Sequence, residues 1–140
     1  MNTEMLITKP ITEINEIFYG LGFKKNKLFK PYDFLRSDTA HRTNVLNEPT
    51  SEAISNIIAL NNHLVGILKS WHGTPPHITS GYRCPALNRL VGGAQHSYHL
   101  KGRAVDLWLP SSEIIPFGDF MSKQKHSEFI RYKSFIHFAL

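Results

Sequence analysis

A carboxylate within an apolar strand constrains the fold of this chain more than any other feature. Residues 104–109 alternate as a β-strand does, with Ala104, Asp106 and Trp108 on one face. An unpaired buried carboxylate is costly, so Asp106 needs a partner. Imidazoles are available at His99, in the loop before the strand, and at His137 near the C-terminus. These three residues are either metal ligands or an unrelated set: a surface histidine, a hydrogen-bonded carboxylate and a core histidine.

Hydrophobic periodicity predicts one α+β domain with helices packed on a small antiparallel sheet. The long segment from Thr50 or Ser51 to Trp71 carries apolar residues along one helical face, which is typical of a core helix. Pro85 fits the first turn of a shorter helix, and His96 to Gly102 is expected to be a loop. Helices are predicted over residues 11–20, 38–42, 50–71, 86–91 and 111–124, and strands over 77–79, 104–109, 128–132 and 135–139.

The last two strands predict how a site could assemble. With Lys133-Ser134 as a two-residue loop, Ile130 faces His137, and Glu128, Ile130 and Tyr132 share the face of His137. If the strand of Asp106 lies alongside, Asp106 and His137 point into one cleft. His99 would join them from its loop, which Gly102 allows to turn sharply. Three such ligands leave a fourth position for water, as in a catalytic zinc site.

Two neighbouring residues offer further chemistry. Arg83 follows the small residues Ser80 and Gly81 at the end of a strand, where its guanidinium could clamp a carboxylate or simply lie on the surface. Cys84 could be a nucleophile in a cysteine protease. Its place between Arg83 and Pro85, at a helix start, instead favours a packing role.

Composition excludes several classes of protein. The net charge is +5, but the basic residues are scattered, so we expect no nucleic-acid partner. No apolar run is long enough to cross a membrane, and we expect no membrane insertion. Residues 1–10 lack the pattern of a secretory signal, so none is expected. The single cysteine excludes an intramolecular disulfide.

Residues 97–106 match the pattern Ser-x-His-x-x-Gly-x-Ala-x-Asp. This segment resembles the zinc D-alanyl-D-alanine carboxypeptidase-like peptidases, which cleave bacterial cell-wall peptides. The resemblance extends from Phe34 to the end of the chain, so residues 1–33 are expected to be an N-terminal helical extension and residues 34–140 the family-like core of one zinc peptidase domain. Residues 37–40, 47–49, 78–88, 91–94 and 135–137 add to the similarity.

The resemblance implies a role for each matching residue. His99, Asp106 and His137 would bind one Zn²⁺ per chain. Arg83 would hold a substrate carboxylate or carbonyl, with Ser97 and Tyr82 as further residues of the substrate site.

The chain differs from better-known relatives at the positions where a general base would be expected. Several of them carry an acid three residues before the last histidine and an Asp two residues after it, where this chain has Ser134 and Ala139. Glu128 is the first candidate base because of its predicted face. Tyr132 and His126 are alternatives, and His96 is a weaker one.

The predicted function is zinc-dependent hydrolysis of an amide bond in peptidoglycan stem peptides, as a D,D-carboxypeptidase or an endopeptidase. The short chain resembles single-domain members encoded by phages or mobile elements. We therefore expect a monomer that is made in the cytoplasm and acts on the cell wall as a lysin or virion component. The alternative is a non-catalytic zinc protein that binds wall peptides or is a structural part of a virion, which Ser134 favours.

Overall fold

A computed structural model describes residues 4–140, and this part of the chain has five α-helices and a four-stranded antiparallel sheet, confirming the α+β prediction. None of its helices is both long and apolar enough to span a membrane. Three short 3₁₀ turns cover Leu6–Thr8, Pro31–Phe34 and Tyr98–Lys101. The helices are α1 (Ile11–Gly20), α2 (Asp38–Arg42), α3 (Ser51–Leu68), α4 (Pro85–Leu90) and α5 (Ile114–Ser122), and the strands are β1 (His77–Ser80), β2 (Ala104–Trp108), β3 (Glu128–Arg131) and β4 (Phe135–Ala139).

The sheet has the order β1-β2-β4-β3, so β2 and β4 lie at its centre. Their register pairs Asp106 directly with His137. On the other side of β4, Ile130 is opposite His137, which confirms the predicted hairpin register. Because side chains alternate between faces, a slip of one residue would move every one of these side chains to the opposite face.

The two faces of the central strands have different surroundings. Val105 and Leu107 on β2, and Ile136 and Phe138 on β4, belong to the hydrophobic core. Asp106 and His137 alternate with them and therefore project from the opposite face. The sheet thus separates the core from the face that carries the polar side chains.

Helix α3 supplies much of the core, with Thr50 as its N-cap. The Thr50 side chain accepts a hydrogen bond from the Ala53 amide at 3.0 Å. The prediction that this helix continues to Trp71 was wrong, because it ends at Leu68. The Trp71 ring instead packs against Phe117 of α5, and its indole donates to the Thr74 carbonyl. The helix buries Ala53, Ile57, Leu60, Asn61, Leu64 and Leu68.

Two further local predictions need correction. The predicted loop before β2 contains the 3₁₀ turn Tyr98–Lys101, which ends at Gly102 in the left-handed conformation. Helix α5 begins at Ile114, later than predicted. Helix α5 accommodates Pro116 because this residue lies in the first turn, where an amide has no partner within the helix.

The N-terminal residues pack onto the same core. Ile14 and Phe18 of α1 are fully buried. The Glu48 carboxylate accepts hydrogen bonds from the backbone amides of Leu6 and Ile7, at 3.0 and 2.8 Å. These contacts connect the start of the described chain to the segment before α3.

Candidate metal centre

Three predicted ligands meet in one buried group. The Asp106 Oδ1 atom lies 3.2 Å from His99 Nε2 and 3.0 Å from His137 Nδ1. One potential ligand atom from each residue lies within 4.8 Å of the others, and all three residues are less than 10% exposed. Two imidazole nitrogens and one carboxylate oxygen suit a catalytic zinc ion, so this group could hold such a metal.

Local structure around His99 fixes its ring. The Ser97 hydroxyl accepts a hydrogen bond from the His99 amide at 3.1 Å. His99 Nδ1 lies 2.7 Å from the Gly81 carbonyl oxygen, which can only accept, so Nδ1 carries the proton. The lone pair of Nε2 is then directed at Asp106, as a metal ligand requires.

Gly102 brings the His99 turn against α3. Its φ is +71°, and a Cβ there would lie 2.6 Å from the Ala53 carbonyl oxygen. Only glycine allows both this backbone conformation and this close approach.

Hydrogen bonds control the charges within the group. Burial by itself raises the pKa of the Asp106 carboxyl, but the adjacent His137 and His99 side chains lower it to about 2. Burial also opposes the charged form of His137, yet its hydrogen bonds to Asp106 and Glu128 raise its pKa. Asp106 is therefore ionised at neutral pH, as a metal ligand must be.

Glu128 contacts the nitrogen of the His137 ring that faces away from Asp106. Its Oε1 atom lies 2.6 Å from His137 Nε2, while its side chain remains 42% exposed. Strand β3 is an edge strand of the sheet, and Glu128 reaches His137 from there. Sequence reasoning placed both residues on one face but did not predict this contact.

A cleft of about 380 Å³ opens over the group. The rings of Tyr132 and Phe135, which line the cleft, stack with their centroids 4.5 Å apart. The cleft is lined by Arg83, Val91, Gly92, Gly93, Ala94, His96, Ser97, His99, Asp106, Glu128, Ile130, Tyr132, Phe135 and His137.

Arg83 lies in this cleft beside Asp106. One of its terminal nitrogens is 3.6 Å from Asp106 Oδ2. The guanidinium also donates to Ser80 Oγ at 3.2 Å and to Asn88 Oδ1 at 3.3 Å. Burial lowers the pKa of Arg83, and the Asp106 charge opposes that shift. A partly buried guanidinium held in this way can bind an anionic group.

The sequence did not predict that Asn88 holds Arg83, although the glycine at position 93 is a feature that could have indicated it. A Cβ at Gly93 would overlap Asn88 Oδ1 and lie 2.9 Å from Arg83 Nη1. The second glycine after α4 therefore leaves room for the Arg83–Asn88 pair, whereas the sequence suggested only the end of a helix.

Tyr82 is not among the residues that line this cleft, and its place in the substrate site stays a prediction. Its side chain is 3% exposed, and its hydroxyl donates to the Glu48 carbonyl at 3.1 Å. The register of β1 against β2 shifts between Ile78 and Ser80. Such an irregularity breaks the simple alternation of side chains along a strand, and β1 ends two residues before Tyr82.

The other residues considered for proton transfer lie in different places. Tyr132 and His96 line the cleft, but His126 does not, and its Nδ1 atom contacts the Gln124 carbonyl. Ser134 lies in the hairpin turn and is not among the cleft residues. Ala139 is fully buried at the end of β4.

A comparison with protein families supports the chemistry of this group. A family model described as Peptidase M15 matches residues 27–139, which is well over half of the chain. The match includes all three residues of the metal group, together with Arg83 and Glu128. No curated protein sequence matches the chain.

Proposed function

This chain belongs to the peptidase M15 family, and we propose that it hydrolyses an amide bond in peptidoglycan stem peptides with a zinc ion. Peptidases of this family depend on a metal, so the chain is a metallopeptidase that acts on peptides. The observation that carries the proposal is the buried group of His99, Asp106 and His137 at the base of an open cleft. Two histidines and a carboxylate leave a coordination position for water.

Each residue of the group has a defined donor atom. His99 would use Nε2, Asp106 its carboxylate and His137 Nδ1, because these atoms face one another. A zinc ion bound there polarises a carbonyl and lowers the pKa of a bound water to about 7. Ser97 keeps His99 in place through the backbone amide.

Arg83 would bind the substrate in this proposal. Its guanidinium shares the cleft with the metal group and is anchored by Ser80 and Asn88. A substrate carboxylate or the carbonyl under attack would occupy its remaining donors. This contact would hold the scissile bond over the metal group and stabilise negative charge as it develops.

Glu128 would move the proton. It lines the cleft, and only its Oε1 atom contacts His137, so Oε2 remains for a water or a leaving amine. In this role Glu128 takes a proton from the attacking water and delivers it to the leaving nitrogen. Tyr132, which is 47% exposed at the cleft, is the alternative.

A second candidate function is non-catalytic binding of wall peptides or a structural role in a virion. The contact between Glu128 and His137 favours it, because the first candidate base is already engaged. Delivery to the cell wall as a phage lysin or virion component stays a prediction under either function.

Digestion of purified peptidoglycan tests the proposal. The zinc-loaded protein should release peptides or D-amino acids that mass spectrometry can identify, and a chelator should abolish the release. Arg83→Ala should lower kcat/KM roughly 10- to 100-fold, since it removes hydrogen bonds from a charged donor. Arg89→Ala, an exposed arginine on α4 outside this cleft, is the matched control. If the zinc-loaded protein releases nothing, the enzymatic proposal fails and the binding function takes its place.

A further inference from the structure

We propose that Glu128 is also a positioning residue, whose Oε1 atom sets which nitrogen of His137 faces the metal. The inference rests on the proposed function, because it concerns the same metal group. It goes further by giving Glu128 an effect on metal affinity that is separate from proton transfer.

The hydrogen bond between the two residues fixes the tautomer of His137. An ionised carboxylate can only accept a hydrogen bond, so the 2.6 Å contact places a proton on His137 Nε2. In the neutral ring, Nδ1 then carries the lone pair, and Nδ1 is the atom that faces Asp106 at 3.0 Å. The contact with Glu128 therefore leaves Nδ1 as the atom of the neutral ring that would bind a metal.

The two histidines are held by different acceptors. His99 is fixed through Nδ1 by the Gly81 carbonyl, and it presents Nε2. His137 is fixed through Nε2 by a carboxylate, and it presents Nδ1. Each acceptor fixes the orientation of its ring, and mutation of partners of this kind typically changes metal affinity or activity by about 10- to 100-fold.

The sheet geometry explains why Glu128 can make this contact. Glu128 pairs with Ala139, and Ile130 pairs with His137, so Glu128 lies diagonally across from the histidine. Diagonal neighbours on antiparallel strands are about 7–8 Å apart, within reach of long side chains. Because β3 is an edge strand, the Glu128 side chain can be replaced without opening the core.

Zinc affinity, measured by competition with a chromophoric chelator, tests the inference. Glu128→Ala should weaken zinc binding by about 10- to 100-fold. Glu128→Gln should bind zinc nearly as well as the wild type, because its amide oxygen still accepts from His137 Nε2. Asp119→Ala is the matched control, since Asp119 is an exposed carboxylate that pairs with Arg131 on the same strand. If Glu128→Ala binds zinc as tightly as the wild type, or if Glu128→Gln loses as much affinity as Glu128→Ala, the inference is overturned.

Folding and turnover are followed separately in the same variants. Circular dichroism of the metal-free proteins checks folding, and Glu128→Leu, which is closer in volume, replaces the alanine variant if that variant does not fold. Zinc affinity is measured without substrate, so it tests the positioning role even if no peptidoglycan is cleaved. If Glu128→Gln binds zinc but loses turnover, both roles of Glu128 are supported. If it binds zinc and keeps turnover, proton transfer belongs to another residue and the positioning role stands.

Discussion

At the scale of single residues, the site depends on residues whose positions are tightly restricted by neighbouring groups. Asp106 is 7% exposed, and one of its carboxylate oxygens faces a ring nitrogen of each histidine. Gly102 is equally restricted, by a positive φ and by the Ala53 carbonyl. A change at either residue acts on the metal group, one directly and the other through the His99 turn.

Replacing Gly102 tests the fit of that turn. Gly102→Ala should lower the free energy of unfolding by about 1–3 kcal/mol, because alanine is strained at this φ and its Cβ would meet backbone. Gly66→Ala, at an open position in α3, should instead stabilise by about 0.5–1 kcal/mol. Urea denaturation of the two metal-free variants measures both effects. Equal stability of Gly102→Ala and the wild type would contradict the described approach of the turn to α3.

At the scale of elements, the segment that carries Arg83 is held by one buried side chain. The Asn47 amide group donates to the Leu35 and Tyr82 carbonyls, each at 2.9 Å. Its oxygen accepts from the Cys84 amide at 2.7 Å. Asn47 therefore fixes the backbone on both sides of Arg83 and connects it to the segment before α3.

Removing this side chain should loosen the substrate site and the fold together. Asn47→Ala leaves three backbone groups without their partner, and each buried unsatisfied group costs about 1–3 kcal/mol. We expect a loss of at least about 2 kcal/mol in urea denaturation and a higher KM. Asn56→Ala, which removes one exposed hydrogen bond to Lys101, should cost about 1 kcal/mol or less. Similar losses of unfolding free energy in the two variants would contradict the proposed role of Asn47 in holding the backbone around Arg83.

Sequence reasoning succeeded where a fixed period or a short loop decided the structure. The two-residue turn at Lys133-Ser134 determined the register of the hairpin, and pleat alternation then placed Glu128 and His137 on one face. Sequence reasoning failed where contacts between residues far apart in the sequence determined the structure. Helix α3 ends at Leu68, and the Trp71 ring packs against Phe117 of α5, a contact that local periodicity does not contain.

At the scale of the whole molecule, the metal group joins segments that are distant in the sequence. His99 comes from a 3₁₀ turn, Asp106 from β2 and His137 from β4, and the opposite face of these strands packs on the core. Metal binding is therefore linked to folding, because the unfolded chain has no preformed site. A metal at 100 times its Kd should stabilise the fold by about 2.7 kcal/mol.

The central claim is that His99, Asp106 and His137 bind one metal ion. Calorimetric titration of zinc into the wild type and into Asp106→Asn tests this claim most directly. Asparagine keeps the shape of the side chain but removes the charge that faces both histidines. The wild type should bind one zinc ion per chain. Asp106→Asn should bind zinc more than about 100-fold more weakly, a larger loss than is typical when a residue that only hydrogen-bonds to a metal ligand is replaced. Equal affinity and stoichiometry in the two proteins would contradict the assignment.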